Sequence, residues 1–116
     1  MGEFSFRKNE RLRKRKDFQT VKERGKRIST KNFILLIKPN SLPYNRLGVI
    51  VSKKTGNAVQ RNRVKRCLRE FFRLNKKDFA PPPKDIVIIA KKGANRLNTR
   101  AITEELLPVL TQPARY

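Results

Sequence analysis

Between Lys53 and Glu70 the chain reads Lys-Lys-Thr-Gly-Asn-Ala-Val-Gln-Arg-Asn-Arg-Val-Lys-Arg-Cys-Leu-Arg-Glu, a set of side chains made for holding phosphate, not for breaking bonds. Guanidinium forks bind phosphate oxygens in pairs and stack on unpaired bases, lysines act as point charges, and Asn62 adds a directional donor and acceptor among them. A basic run most often does no more than solvate an exposed helix face. Such a face normally interleaves acids four residues away, yet Glu70 is the only acid between Lys53 and Lys77. The charges therefore lack partners in their own segment, which points to an external polyanion.

The rest of the composition narrows the chemistry further. There is no histidine, and Cys67 is the lone cysteine, so an intrachain disulfide and a Cys/His zinc site are both excluded. The commonest general acid–base group is missing, and the few carboxylates, among them Asp17, Asp78, Asp85, Glu104 and Glu105, form no acidic motif of metal-site spacing. A self-sufficient nuclease is not expected. The formal net charge of +21 would destabilise a compact chain by self-repulsion unless a polyanion neutralised it. No apolar run approaches the roughly 18 residues of a spanning helix, and no signal-peptide core follows the first residues, so the expectation is a cytoplasmic protein without a membrane partner.

The elements that must position these residues follow from periodicity. Residues 1–16 read as a basic arm, carrying Arg7, Lys8, Arg11 and Arg13 to Lys16 beside Phe4, Phe6 and Leu12, and residues 17–116 as one domain. Asp17 is placed to cap a short helix that Gly25 ends in a left-handed conformation, with Phe18 and Val21 on its apolar face. Residues 32–38 and 46–52 are apolar runs expected as strands, paired as an antiparallel hairpin, and a brief strand fits Lys26–Ser29. Asn57 and Gln60 form a capping box for a helix reaching Leu74. On it, Val64, Cys67, Leu68, Phe71 and Phe72 share one arc, while Asn62, Arg63, Lys65, Arg66, Arg69 and Arg73 share the other. After Pro81-Pro82-Pro83, residues 85–91 read as a central strand. A last helix begins at Thr99, with Ile102, Leu106, Val109 and Leu110 in register, and Pro108 should stop or bend it near Leu107. The class is α+β, a mixed sheet with helices on one face, and a strand–helix–strand passage over 46–91 would ordinarily cross over right-handed if its strands are parallel.

The stretch Lys53 to Arg69 resembles the bacterial ribonuclease P protein family, whose pattern Lys-Lys-x-Gly-x-Ala-Val-x-Arg-Asn-Arg-x-Lys-Arg-x-x-Arg is matched at every specified position. Asp17-Phe18, Gly25, Arg46-Leu47-Gly48 and Asp85-Ile86-Val87 extend the resemblance over most of the chain. It implies a two-layer, ribosomal-protein-like α+β sandwich with a left-handed crossover. It also implies a protein subunit of a ribonucleoprotein endonuclease that removes the 5′ leader of precursor transfer RNA. Catalysis would rest with magnesium ions bound by the RNA subunit, and the protein itself would bind no cofactor.

By the same resemblance, Arg61, Asn62, Arg63, Lys65, Arg66 and Arg69 would face the ribonuclease P RNA, and a cleft on the sheet would hold the precursor's single-stranded leader. Phe18, Lys53, Lys54, Lys91 and Lys92 match cleft positions. Lys22 joins them where the family often has a second aromatic, and Leu36 stands where a tyrosine can occur, which shifts leader contacts toward electrostatics. Phe18 has an equal claim to be core, and Gly48 suits close packing. No dedicated protein partner is evident. The alternative is a ribosomal or ribosome-assembly protein, equally small and basic, and an architectural DNA binder would need a groove-reading helix and symmetric core that nothing here suggests.

Overall fold

The computed structural model describes residues 6–112. Its elements are α1 (Arg15–Arg24), β1 (Lys26–Ser29), β2 (Phe33–Pro39), β3 (Arg46–Ile50), α2 (Ala58–Asn75), β4 (Lys84–Ala90) and α3 (Thr99–Thr111). Short 3-10 turns lie at Lys8–Glu10, Lys53–Thr55, Lys76–Asp78 and Lys92–Arg96. The α+β class and the mixed sheet stand as expected.

The hairpin does not. Across the sheet the order is β1-β2-β4-β3, with β4 antiparallel to β2 and parallel to β3. β2 and β3 do run in opposite directions, but β4 lies between them. The reason is burial: Ile86 and Ile88 face one side while Val87 and Ile89 face the other, and only an interior strand can cover both. The β2–β3 loop spans the start of β4 and is tied to it there. Asn40 Nδ2 donates to Asp85 Oδ1 at 2.9 Å, and the Lys84 amide donates to Asn45 Oδ1 at 2.9 Å.

The helices are also not all on one face. α2 and α3 pack Val64, Leu68, Phe71, Phe72, Ile102 and Leu106 onto Phe33, Leu35, Ile86 and Ile88. α1 covers the opposite face, where Val21 and Phe18 meet Leu36 and Val87. An interior strand that is apolar on both sides requires a cover on each.

Residues 6–16 are not a free arm, although residues 1–5, Phe4 among them, lie outside the described residues. The Phe6 ring meets Phe72 edge-on at 5.3 Å, Leu12 is buried, and the Leu12 amide donates to the Leu47 carbonyl at 2.9 Å. Glu10 is buried against Lys76, with Nζ–Oε2 at 2.6 Å. Two apolar anchors and one matched charge fold the segment onto the domain.

Three local expectations are revised as well. α1 starts at Arg15, so Asp17 sits inside its first turn, 3.8 Å from the Arg46 guanidinium, and does not cap it. Gly25 has φ −82°, and it is needed because a Cβ there would lie 2.4 Å from the Val21 carbonyl oxygen. α3 continues through Pro108 to Thr111. Burying Leu106 and Leu110 contributes about 1.5–3 kcal/mol each, which offsets the roughly 3 kcal/mol cost of an interior proline.

Candidate nucleic-acid interface

α2 is built as its local sequence dictates. The Gln60 amide donates to Asn57 Oδ1 and the Asn57 amide to Gln60 Oε1, both at 2.9 Å, closing the capping box. Gly56, at φ 155°, precedes it in a conformation that side chains avoid. Val64, Cys67, Leu68, Phe71 and Phe72 are buried, which fixes the rotation of the helix. Asn62, Arg66 and Arg69 are consequently exposed, and Arg61, Arg63 and Lys65 are half-buried.

The fold draws on two of these side chains. Arg61 Nη1 donates to the Gly56 carbonyl at 2.9 Å, and Arg63 Nη1 donates to the Asn95 carbonyl at 3.2 Å, joining α2 to the 3-10 turn after β4. Each guanidinium has five N–H donors, so most remain for phosphate. Among the described residues no ion pair engages Arg61, Arg63, Lys65, Arg66 or Arg69.

The expected cleft residues fall into two groups. Phe18 and Lys22 line a cleft of about 570 Å³ between α1 and the sheet, floored by Leu36, Ile50, Val87 and Ile89. Lys53 and Lys54 lie in the turn after β3, and Lys91 and Lys92 at the end of β4, outside the cleft wall but beyond its Ile50 and Ile89 end. Lys53, Lys54 and Lys92 are exposed. Lys91 is partly structural: its Nζ donates to Ser29 Oγ and to the Thr30 carbonyl, both at 2.6 Å.

Sequence reading missed Arg15 and Gln19, which line the same cleft one helical turn apart from Phe18 and Lys22. It also missed Arg27, which pairs with Leu36 across β1 and β2 and so stands on the cleft face. Helical spacing from Phe18 could have found the first two. Arg27 needed the strand register.

The acids explain why so much positive charge stays outward. Asp85 is buried and accepts from Arg46 Nε and Nη2, each at 2.7 Å, and this hydrogen bond raises the guanidinium further above its ordinary range. Glu105 accepts from Thr30 Oγ1, from the Asn32 amide at 2.8 Å and from Asn32 Nδ2 at 2.7 Å. Burial pushes its carboxyl pKa up, but these hydrogen bonds outweigh burial and leave it below the usual value. With Glu10 on Lys76 and Asp17 near Arg46, four of the acids are spent inside the fold. Among the described residues no group of three or more His, Cys, Asp or Glu side chains could hold a metal ion, and no helix is long and apolar enough to cross a membrane.

Comparison with known proteins places this geometry. The family model described as Ribonuclease P matches residues 6–113. The ribonuclease P protein component of Syntrophobacter fumaroxidans is 45% identical over 108 residues, 93% of this chain and 91% of that protein. The ribonuclease P protein component of Desulfatibacillum aliphaticivorans is 52% identical over 93 residues, 80% of this chain and 78% of that protein. Among solved structures, the RNase P protein from Thermotoga maritima superposes with a TM-score of 0.80 at 37% identity, covering 91% of this chain and 99% of that one. The Staphylococcus aureus RNase P protein gives 0.78 at 37% identity, covering 87% and 92%.

Proposed function

The chain belongs to the ribonuclease P protein family, and on that premise we propose that its cationic surfaces divide the work between two RNAs. As the protein component of this ribonucleoprotein endoribonuclease, it works with ribonuclease P RNA in maturing the 5′ end of transfer RNA. The outward face of α2, with Arg61, Asn62, Arg63, Lys65, Arg66 and Arg69, meets the RNA subunit. The cleft beside α1, with Phe18 and Lys22 and the lysines 53, 54, 91 and 92 at its end, receives the leader of the precursor. A base on Phe18 and phosphates on lysines make contacts that any leader sequence can satisfy.

Chemistry in this reading stays with magnesium ions held by the RNA subunit, which activate water for phosphodiester hydrolysis. The protein contributes binding, orientation and charge neutralisation, and it does so in the cytoplasm. The carrying observation is α2 itself: its packed apolar face fixes the rotation of the helix, and among the described residues no ion pair engages Arg61, Arg63, Lys65, Arg66 or Arg69. A ribosomal or ribosome-assembly protein would share the charge and the strands but is not favoured by the family match.

Reconstituted processing of a labelled precursor tests the assignment. The protein alone should cleave nothing. Added to the RNA subunit, it should lower the magnesium requirement and bind precursor more tightly than mature transfer RNA. Equal affinity for both would remove the leader from the cleft.

A further inference from the structure

We propose that a notch at the outer edge of β3 is a single-nucleotide site, in which an unpaired base of the RNA subunit rests against Phe18 while Arg13 and Arg69 hold its phosphate. The proposal rests on the division of surfaces given above and adds a site to it. β3 is an edge strand, and among the described residues the N-terminal segment pairs with it only at Leu47, through Arg11 and Leu12. Alongside Gly48 and Val49 this leaves a recess of about 210 Å³, below the roughly 300–1,000 Å³ of a small-molecule pocket and suited to one ring system.

Its lining is divided by chemistry. The floor is apolar, with Leu47, Val49 and the Phe18 ring. The rim carries Arg11, Arg13 and Arg69, brought together from the N-terminal segment and α2. All three arginines are exposed and none has an ion pair among the described residues. The Arg11 guanidinium lies 4.7 Å from the centre of the Phe6 ring, which holds it at the rim. Apolar side chains, an aromatic ring among them, beside several guanidinium groups are the complement of a nucleotide, whose base stacks while its phosphate takes the forks. An acidic peptide would use the rim and leave the floor empty.

Position argues for the RNA subunit over the leader. Arg69 belongs to the outward face of α2, and Phe18 lines both this notch and the leader cleft, so one aromatic ring separates the two strands. Gly48 permits that wall: a Cβ there would sit 2.6 Å from the Phe18 ring.

Arg13→Ala tests the site, because Arg13 lies on neither α2 nor the leader cleft. Its affinity for the RNA subunit should fall about three- to tenfold, with the salt slope shallower by about 0.7–0.9, and its preference for precursor over mature transfer RNA should not change. Arg66→Ala is the reference. Weakening by Arg66→Ala with no effect of Arg13→Ala overturns the notch alone, and no effect of either overturns the α2 assignment together with it. A photocrosslinker on Arg13→Cys, placed selectively because Cys67 is buried, should capture an unpaired nucleotide of the RNA subunit. Capture of the leader, or loss of precursor preference, refutes the assigned strand.

Discussion

Two single residues fix how neighbouring elements close on the sheet. Gly48 lets Phe18 and Leu12 close on β3, where a Cβ would lie 2.6 Å from Phe18 and 3.2 Å from Leu12 Cβ. The Phe18 ring can swing away on its helix, so Gly48→Ala should fall at the lower end of overpacking costs, about 1 kcal/mol. Thermal unfolding should show this as a drop of about 4–8 °C. On the opposite face of the sheet, Glu105 ties α3 to the β1–β2 turn that Lys91 also grips. Its carboxyl is held below its ordinary value, so its stabilisation is present above the unfolded carboxylate range and is lost as pH falls through the folded value. Glu105→Gln should lose about 1 kcal/mol at neutral pH, since one amide donor then faces another. Denaturant unfolding from pH about 6 to 3 should show a shallower acid decline in the variant than in the parent.

At the scale of elements, α2 was legible because its signals are local: a capping box spanning four residues and an apolar repeat that left Val64, Cys67, Leu68, Phe71 and Phe72 buried as the periodicity requires. Truncating Arg66 to Ala should therefore leave unfolding unchanged within about 0.5 kcal/mol while weakening assembly with the RNA subunit. Circular dichroism melts and a direct binding titration check both halves. Strand order was not legible, because pairing depends on residues far apart in sequence. Two apolar runs joined by a six-residue loop suit a hairpin, and only the doubly buried faces of β4 reveal that a third strand divides them. α1 was misplaced for a related reason: its cover over Leu36 and Val87 follows from the sheet, not from its own periodicity.

Over the whole molecule, a net charge of +21 becomes directional because Glu10, Asp17, Asp85 and Glu105 are turned inward against their own partners. The basic character of α2 is plain in the sequence, but neither Arg27 beside the cleft nor which of the cations the fold itself employs is. Lys91 and Arg63 look like free charges until Ser29, Thr30 and Asn95 are seen beside them. Precursor binding should weaken steeply with ionic strength, at about 0.7 in logarithmic slope per phosphate neutralised on a single strand. Replacing Lys53 and Lys54 together should shallow that slope by about 1.4, and a titration series in salt would measure it.

The late arrival of β4 bears on how the chain is made. A ribosome that has released everything through Asn75 has delivered α1, β1, β2, β3 and α2, yet β2 has only β1 beside it and β3 has no neighbouring strand. Only when Lys84–Ala90 emerges can both seams close, so the nascent protein completes its sheet and the floor of its cleft together, and α3 then closes the core.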